Sequence, residues 1–220
     1  SGGSLEVDTA FNIFSDSAVT IDNSHQTTAD SMQVAGVGDD LTASSLSITG
    51  STLAITGTLD VDTSDSIALT TSVISGGTID LNAGTTLVVD GSLHDGDEVD
   101  LDAATLNLTS EGKTTLTEAT INGGDFSVLD SASVEVTDSN IVISDALSLT
   151  STGLVDINTS MIDAGKATIS TPDEVQISGG SLEVDTTFNI FSDSAVTIDN
   201  SHQTTTGSMQ VAGVVVDSPA

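Results

Sequence analysis

The chain has 220 residues, with 33 Asp and Glu against two Lys, a formal charge of −31, 37% apolar residues and a mean hydropathy of +0.18. Val, Ile and Leu recur along its whole length, so it lacks the composition of an acidic disordered chain and is expected to fold. Such a polyanion is excluded as a partner of nucleic acid or of an anionic membrane face, no run approaches the roughly 18 apolar residues of a membrane span, and the absence of Cys removes disulfides and thiolate metal sites.

Taken from the N-terminus, short stretches alternate apolar and polar residues with a period of two, as in Leu5-Glu6-Val7, Phe11-Asn12-Ile13, Leu53-Ala54-Ile55 and Leu106-Asn107-Leu108. That spacing predicts strands, and the abundance of Thr, Ser, Val, Gly and Asp disfavours helix interiors. Each stretch ends in Ile, Leu or Val followed by a small or polar triplet. The last apolar residues before these corners are Ile21, Ile48, Ile74, Leu101, Ile121, Val136, Ile157, Ile177 and Ile198, at intervals of 27, 26, 27, 20, 15, 21, 20 and 21. The interval of 15 is too short for a coil, which suggests that the Val136 corner is misplaced and that Ile121 to Ile157 holds two coils near 18 residues.

An antiparallel meander would use tight turns throughout, yet only Asp90-Gly91, Asp95-Gly96 and Asn122-Gly123 offer the favoured dipeptides. Recurring corners at 20 to 27 residues instead predict an all-β fold, a parallel β-solenoid (β-helix) of about nine coils, stacked at roughly 4.8 Å into a rod on the order of 40 Å long.

A longer period lies over the short one. Residues 1–37 match residues 178–214 at an offset of 177, differing only at Ala10/Thr187, Ala29/Thr206 and Asp30/Gly207. The chain reads as a single solenoid over 1–220: one long unit over 1–177, the start of a second copy over 178–214, and a divergent tail over 215–220. Neither end has the look of a cap, as expected of a piece cut from an array, and Ser1 does not open a signal peptide, so a targeting segment is expected outside this sequence. Leu5, Val7, Phe11, Ile13, Val19 and Ile21 should stack in line with Leu182, Val184, Phe188, Ile190, Val196 and Ile198 eight coils later, with Val, Ile or Leu at every level between.

Seven acids lie between apolar neighbours and are expected outside: Glu6, Asp60, Asp80, Asp100, Glu135, Asp156 and Glu183. Carboxylates one coil apart repel by roughly 1 kcal/mol in water, so the surface should favour salt or divalent cations. The densest cluster, DGSLHDGDEVDLD, offers Asp90, Asp95, Asp97, Glu98, Asp100 and Asp102 as oxygen ligands for Ca2+, without the order of an EF-hand; the alternative is a solvated insertion, and no cofactor is required.

The sequence argues against an enzyme. It has no Arg, Lys113 and Lys166 lie far apart, and His25 and His202 are one repeat position seen twice, leaving His94 alone. Thr70-Thr71 and Thr114-Thr115-Leu116-Thr117 do not recur at one coil position as ordered-water columns would require. Asn107-Leu108-Thr109 and Asn158-Thr159-Ser160 fit the glycosylation pattern.

Strings such as SGGSLEVDT, INGGDFSVLDSASVEV and ISGGTIDLNAGTTLVV resemble the repeat regions of giant secreted prokaryotic surface proteins, including filamentous-haemagglutinin-type adhesins. The resemblance covers the whole chain and rests on composition and period. It implies a right-handed solenoid, export to the cell surface, and a role as stalk, fibre or adhesive surface; the near absence of Lys and Arg departs from the haemagglutinin type and points to a marine or salt-loving source. Two functional expectations follow: a non-catalytic extracellular rod that stacks end to end within a long array, or an adhesin that binds glycans or another cell surface, with calcium, through the loops of the longer coils.

Overall fold

The computed structural model describes residues 3–7, 9–28, 31–36, 43–90, 99–199 and 201–217. All of the regular structure in them is β-strand, and every pairing is parallel. The chain winds as a parallel β-solenoid of about nine turns.

Three ladders run the length of the coil. The first begins with Gly3–Val7 and continues through Ser24–Thr28 and Thr52–Ile55. The second begins with Ala10–Phe14 and continues through Ser31–Ala35. The third begins with Val19–Asp22 and continues through Ala43–Thr49. Each strand therefore bonds only to its equivalents one turn before and after, as a solenoid requires. We call the three ladders the first, second and third faces.

Alternation within each strand sends two residues inward per face. On the second face one inward column reads Phe11, Met32, Leu59, Ile79, Leu106, Phe126, Leu147, Ala167, Phe188 and Met209. Its partner reads Ile13, Val34, Val61, Leu81, Leu108, Val128, Leu149, Ile169, Ile190 and Val211. These columns, with Val19, Leu46, Ile67 and Leu87 of the third face, form one largely aliphatic core in which most members have almost no exposure; Phe126 and Phe188 are its largest buried side chains, and Met209 in the last described turn is exposed. At roughly 25 cal/mol per Å² of apolar area buried, such columns stabilise the fold almost without aromatic rings.

The columns are less uniform than the sequence suggested. On the first face, the second inward position runs Gly76, Ala103, Gly123, Ile143, Ala164 and Val184. The level of Gly123 takes no side chain, since a Cβ on it would stand 2.2 Å from the carbonyl oxygen of Ala103 in the turn beneath, whereas Ile143 and Val184 fit at other levels of the column. On the third face Thr114 replaces an aliphatic residue and, though fully buried, bonds to the Ser131 hydroxyl at 2.7 Å.

The register also corrects the corner series. Ile21, Ile48, Leu69, Val89, Leu116, Val136, Ile157, Ile177 and Ile198 form one column on the third face. Val136 is therefore properly placed. Ile74, Leu101 and Ile121 belong to the first face, and the 15-residue step came from crossing between columns. Along the third-face column the steps are 27, 21, 20, 27, 20, 21, 20 and 21 residues. Two turns, not three, are long; their extra residues fall around 37–42 and 91–98, which lie outside the described residues.

Candidate functional site

The corners are built before any surface can be. Two residues after the last inward position of the third face the backbone turns through the left-handed region, at Asn23, Gly50, Thr71, Glu118, Asp138, Thr159 and Gly179, with φ between 46° and 62°. Asn, Asp and Gly suit that conformation; Thr and Glu do not, and their presence shows that stacking overrides local preference.

The next residue in the corner is usually Ser. The hydroxyls of Ser51, Ser72, Ser139 and Ser160 are buried and donate to the carbonyl two residues back, at 2.8 to 2.9 Å. Each also accepts an amide N–H from the preceding turn, from Ser24, Ser51, Ala119 and Ser139 respectively, at 3.2 Å. A second hydroxyl column lines the corner between the second and third faces. There Ser110, Ser151, Thr171 and Ser192 accept the N–H of the residue two positions on, at 3.0 to 3.2 Å. These columns satisfy turn amides that would otherwise be orphaned.

Asp60, Asp80, Glu135, Asp156 and Glu183 take outward positions as expected, in pairs and not in continuous columns, while the side chains of Glu6 and Asp100 lie outside the described residues. Asp60 stands beside Asp80 on the second face, Glu135 beside Asp156 on the third and Asp163 beside Glu183 on the first. Asp60 accepts from the Gln33 amide at 3.3 Å, and Asp62 from the Asn82 amide at 3.2 Å. Partial burial, then the charge of Asp60, raises the pKa of Asp62; burial, then Asp60 and Asp62, raises that of Asp80. Asp156 is raised by burial, then by Glu135 and Glu174, against the opposing effect of Lys113. Lys113 makes an ion pair with Glu135.

Among the calcium candidates, Asp95, Asp97 and Glu98 lie outside the described residues, as does His94. Asp90 ends a third-face strand beside Thr70 and Thr117. The backbone of Asp100 pairs with Val73 and Thr120, and Asp102 is exposed beside Ser75 and Asn122 on the first face. No group of three or more His, Cys, Asp or Glu able to hold a metal ion occurs among the described residues.

Of the remaining candidates, His202 is exposed and meets the Thr204 hydroxyl at 3.1 Å. Asn107 lies on the second face, while Asn158 is exposed and accepts from the Ser178 hydroxyl at 3.0 Å. The Thr residues do share a position after all: Thr49, Thr70, Thr117 and Thr137 stand in one third-face column interrupted by Asp90. Sequence reasoning missed this because the two long turns hide the alignment.

The second face has a feature that the residue pattern did not announce. From Thr105 to Ala212 its three outward columns hold Thr105, Asn107 and Thr109, then Ser127 and the exposed Leu129, then Ala146, Ser148 and Thr150, then Thr168 and Ser170, then Thr187, Asn189 and Phe191, and last Ser208, Gln210 and Ala212. Only Asp125 and Lys166 carry charge there. The class defined by the fold is the parallel β-solenoid built from repeats. No protein-family model, curated protein or solved structure compared with the chain matches it.

Proposed function

We propose that the chain is a segment of a non-catalytic, extracellular structural rod, extended by further copies of the long unit. One observation carries this reading. The 177-residue offset spans eight whole turns: Phe11 and Phe188 lie in the same inward column, eight steps apart, as do Val19 and Val196. A unit with a whole number of turns can be repeated without breaking hydrogen-bond register or interrupting the core, and it adds about 38 Å of length at roughly 4.8 Å per turn.

The charge of −31 supports the same reading, since like charges keep extended rods apart in solution. Export and surface location rest on the likeness of the repeated strings to giant secreted proteins. The test is electron microscopy of proteins carrying one, two and three units. Unbranched rods lengthening by about 38 Å per unit are expected; particles that grow in every dimension, or kink at each junction, would overturn the reading.

A further inference from the structure

We propose that the stretch of the second face from Thr105 to Ala212, beyond the Asp60–Asp80 pair, binds an uncharged extended polysaccharide, with Phe191 as its stacking platform and Phe14 as the equivalent ring at the start of the unit. The inference does not depend on the rod's role in an array, and it places contact on a flat face instead of the loops of the long turns.

Charge is distributed unevenly over the solenoid surface. The molecule carries −31 overall, yet along the six successive turns of the second face from Thr105 to Ala212 the outward columns hold one acid, Asp125, and one base, Lys166, with Asp130 in the bulge that interrupts the third column between Leu129 and Thr150. The other acids of the neighbourhood are displaced to the corners, as with Glu111, Asp173 and Asp193. A nearly neutral face offers few salt-bridge partners to a charged ligand, and the −31 around it repels an anionic one, which leaves an uncharged ligand as the best match. Its hydroxyls and amides are both donors and acceptors, which matches a ligand rich in hydroxyl groups.

The face also carries an uncovered aromatic ring. Phe191 is 37% exposed and Phe14 is 52% exposed, among the seven exposed large apolar residues of the described chain. Phe191 has Ser170 below it and Ala212 above it, so neither neighbour covers the ring. A groove of about 420 Å³ runs past it, lined by Thr150, Ser170, Phe191 and Ala212, with Pro172 and Asp193 on the corner side. An open aromatic face beside Ser and Thr hydroxyls presents an apolar surface to the C–H side of a sugar ring and polar groups to its hydroxyls. The Asp193 carboxylate at the rim supplies a further acceptor.

Area decides between this occupant and a second copy of the chain. Six turns by three columns make a platform of roughly 400 Å², about half of the approximately 800 Å² per partner of a stable protein interface. A single polysaccharide chain needs far less, and because Phe14 and Phe191 are equivalent positions an array would offer one ring about every 38 Å.

The test is retention of the 220-residue protein on cellulose and on chitin, with alginate gel as the charged control, in 1 M NaCl with EDTA. Retention on cellulose or chitin but not alginate is expected. It should fall at least tenfold in the F14A/F191A variant, persist in F14Y/F191Y, and be unchanged in V142S/M161S, which alters exposed apolar residues of the first face. Melting of each variant by circular dichroism separates loss of the rings from loss of the fold, and F191S, at an exposed position, repeats the test with a single change. Absence of retention on both uncharged matrices overturns the proposal, as does equal retention of F14A/F191A. Concentration-dependent pairing in sedimentation velocity that is lost in F191A would assign the face to a second copy instead.

Discussion

The buried corner serines hold neighbouring turns together, and Ser139→Ala removes one of them. The Ser139 hydroxyl donates to the Thr137 carbonyl at 2.9 Å and accepts the Ala119 N–H of the preceding turn at 3.2 Å. Removing it leaves the two ends unequally affected. The Thr137 carbonyl still accepts from the Glu118 N–H at 3.0 Å, so it remains satisfied. The Ala119 amide loses its acceptor in a corner where Ala119 and Ser139 are both buried. An orphaned buried amide costs about 1 to 3 kcal/mol, whereas Ser133→Ala, on the outward side of the third face, should stay within about 0.5 kcal/mol. Since turns couple mainly to their neighbours, the effect is read locally, by hydrogen exchange at the Ala119 amide, together with urea unfolding. Faster exchange at Ala119 by roughly tenfold or more is the expected result, from about 1.4 kcal/mol per decade. If Ser139→Ala and Ser133→Ala behaved alike in both assays, the hydroxyl column would have no part in holding the corners.

Other consequences follow from the same geometry. Asp62, Asp80 and Asp156 have raised folded-state pKa values, so the folded protein binds their protons more tightly than the unfolded chain and stability is gained as pH falls through those values. Melting should therefore move to higher temperature between pH 7 and about 4.5 at constant ionic strength, and Asp80→Asn should stabilise at pH 7 while shrinking that gain; a melting temperature that falls over this range would contradict it. Lys113→Gln removes an exposed ion pair with Glu135, so it should cost under about 1 kcal/mol in low salt and nothing measurable in 1 M NaCl by denaturant titration. Gly112→Ala puts a Cβ 1.8 Å from the Thr85 carbonyl oxygen and should cost about 1 to 3 kcal/mol, whereas Gly50→Asn, with φ of 54° and only the Asn23 side chain in the way, should be tolerated within about 1 kcal/mol.

Much of this architecture was legible in the residues because a solenoid repeats its rule. Phe11-Asn12-Ile13 and Leu106-Asn107-Leu108 announce the two-residue period, and the second copy at 178–214 fixes the long one. The number of turns per unit was recovered even though three corners were drawn from another face. Ile74, Leu101 and Ile121 precede small triplets just as Ile21 and Ile48 do, and sequence alone cannot tell a first-face corner from a third-face one. The hydroxyl columns stayed hidden for a related reason: Ser72 and Ser133 look alike in sequence, and only the register shows that the first is buried and bonded to the Thr70 carbonyl.

The surface was read less well than the core. An inward residue betrays itself by being apolar, but outward positions are distinguished only by which neighbours the register supplies. Asp60 and Asp80 are 20 residues apart yet adjacent, while the neutral stretch of the second face is assembled from six separate segments. The acid cluster from Asp90 to Asp102 drew notice because it is contiguous in sequence; within it, Asp90 and Asp102 stand on different faces.

Successive turns of the solenoid lie parallel and in register along one axis, an arrangement open to direct measurement. It is tested most directly by spin-label distances in this cysteine-free chain, with pairs introduced at Thr20 and Thr115, and at Thr20 and Thr197. All three positions fall in one outward column of the third face, four and eight turns apart. Backbone separations of about 19 and 38 Å, in the ratio of one to two, are the predicted result at roughly 4.8 Å per turn. Distances that do not grow in proportion to the number of turns, or a Thr20 to Thr197 separation shorter than that from Thr20 to Thr115, would contradict the account.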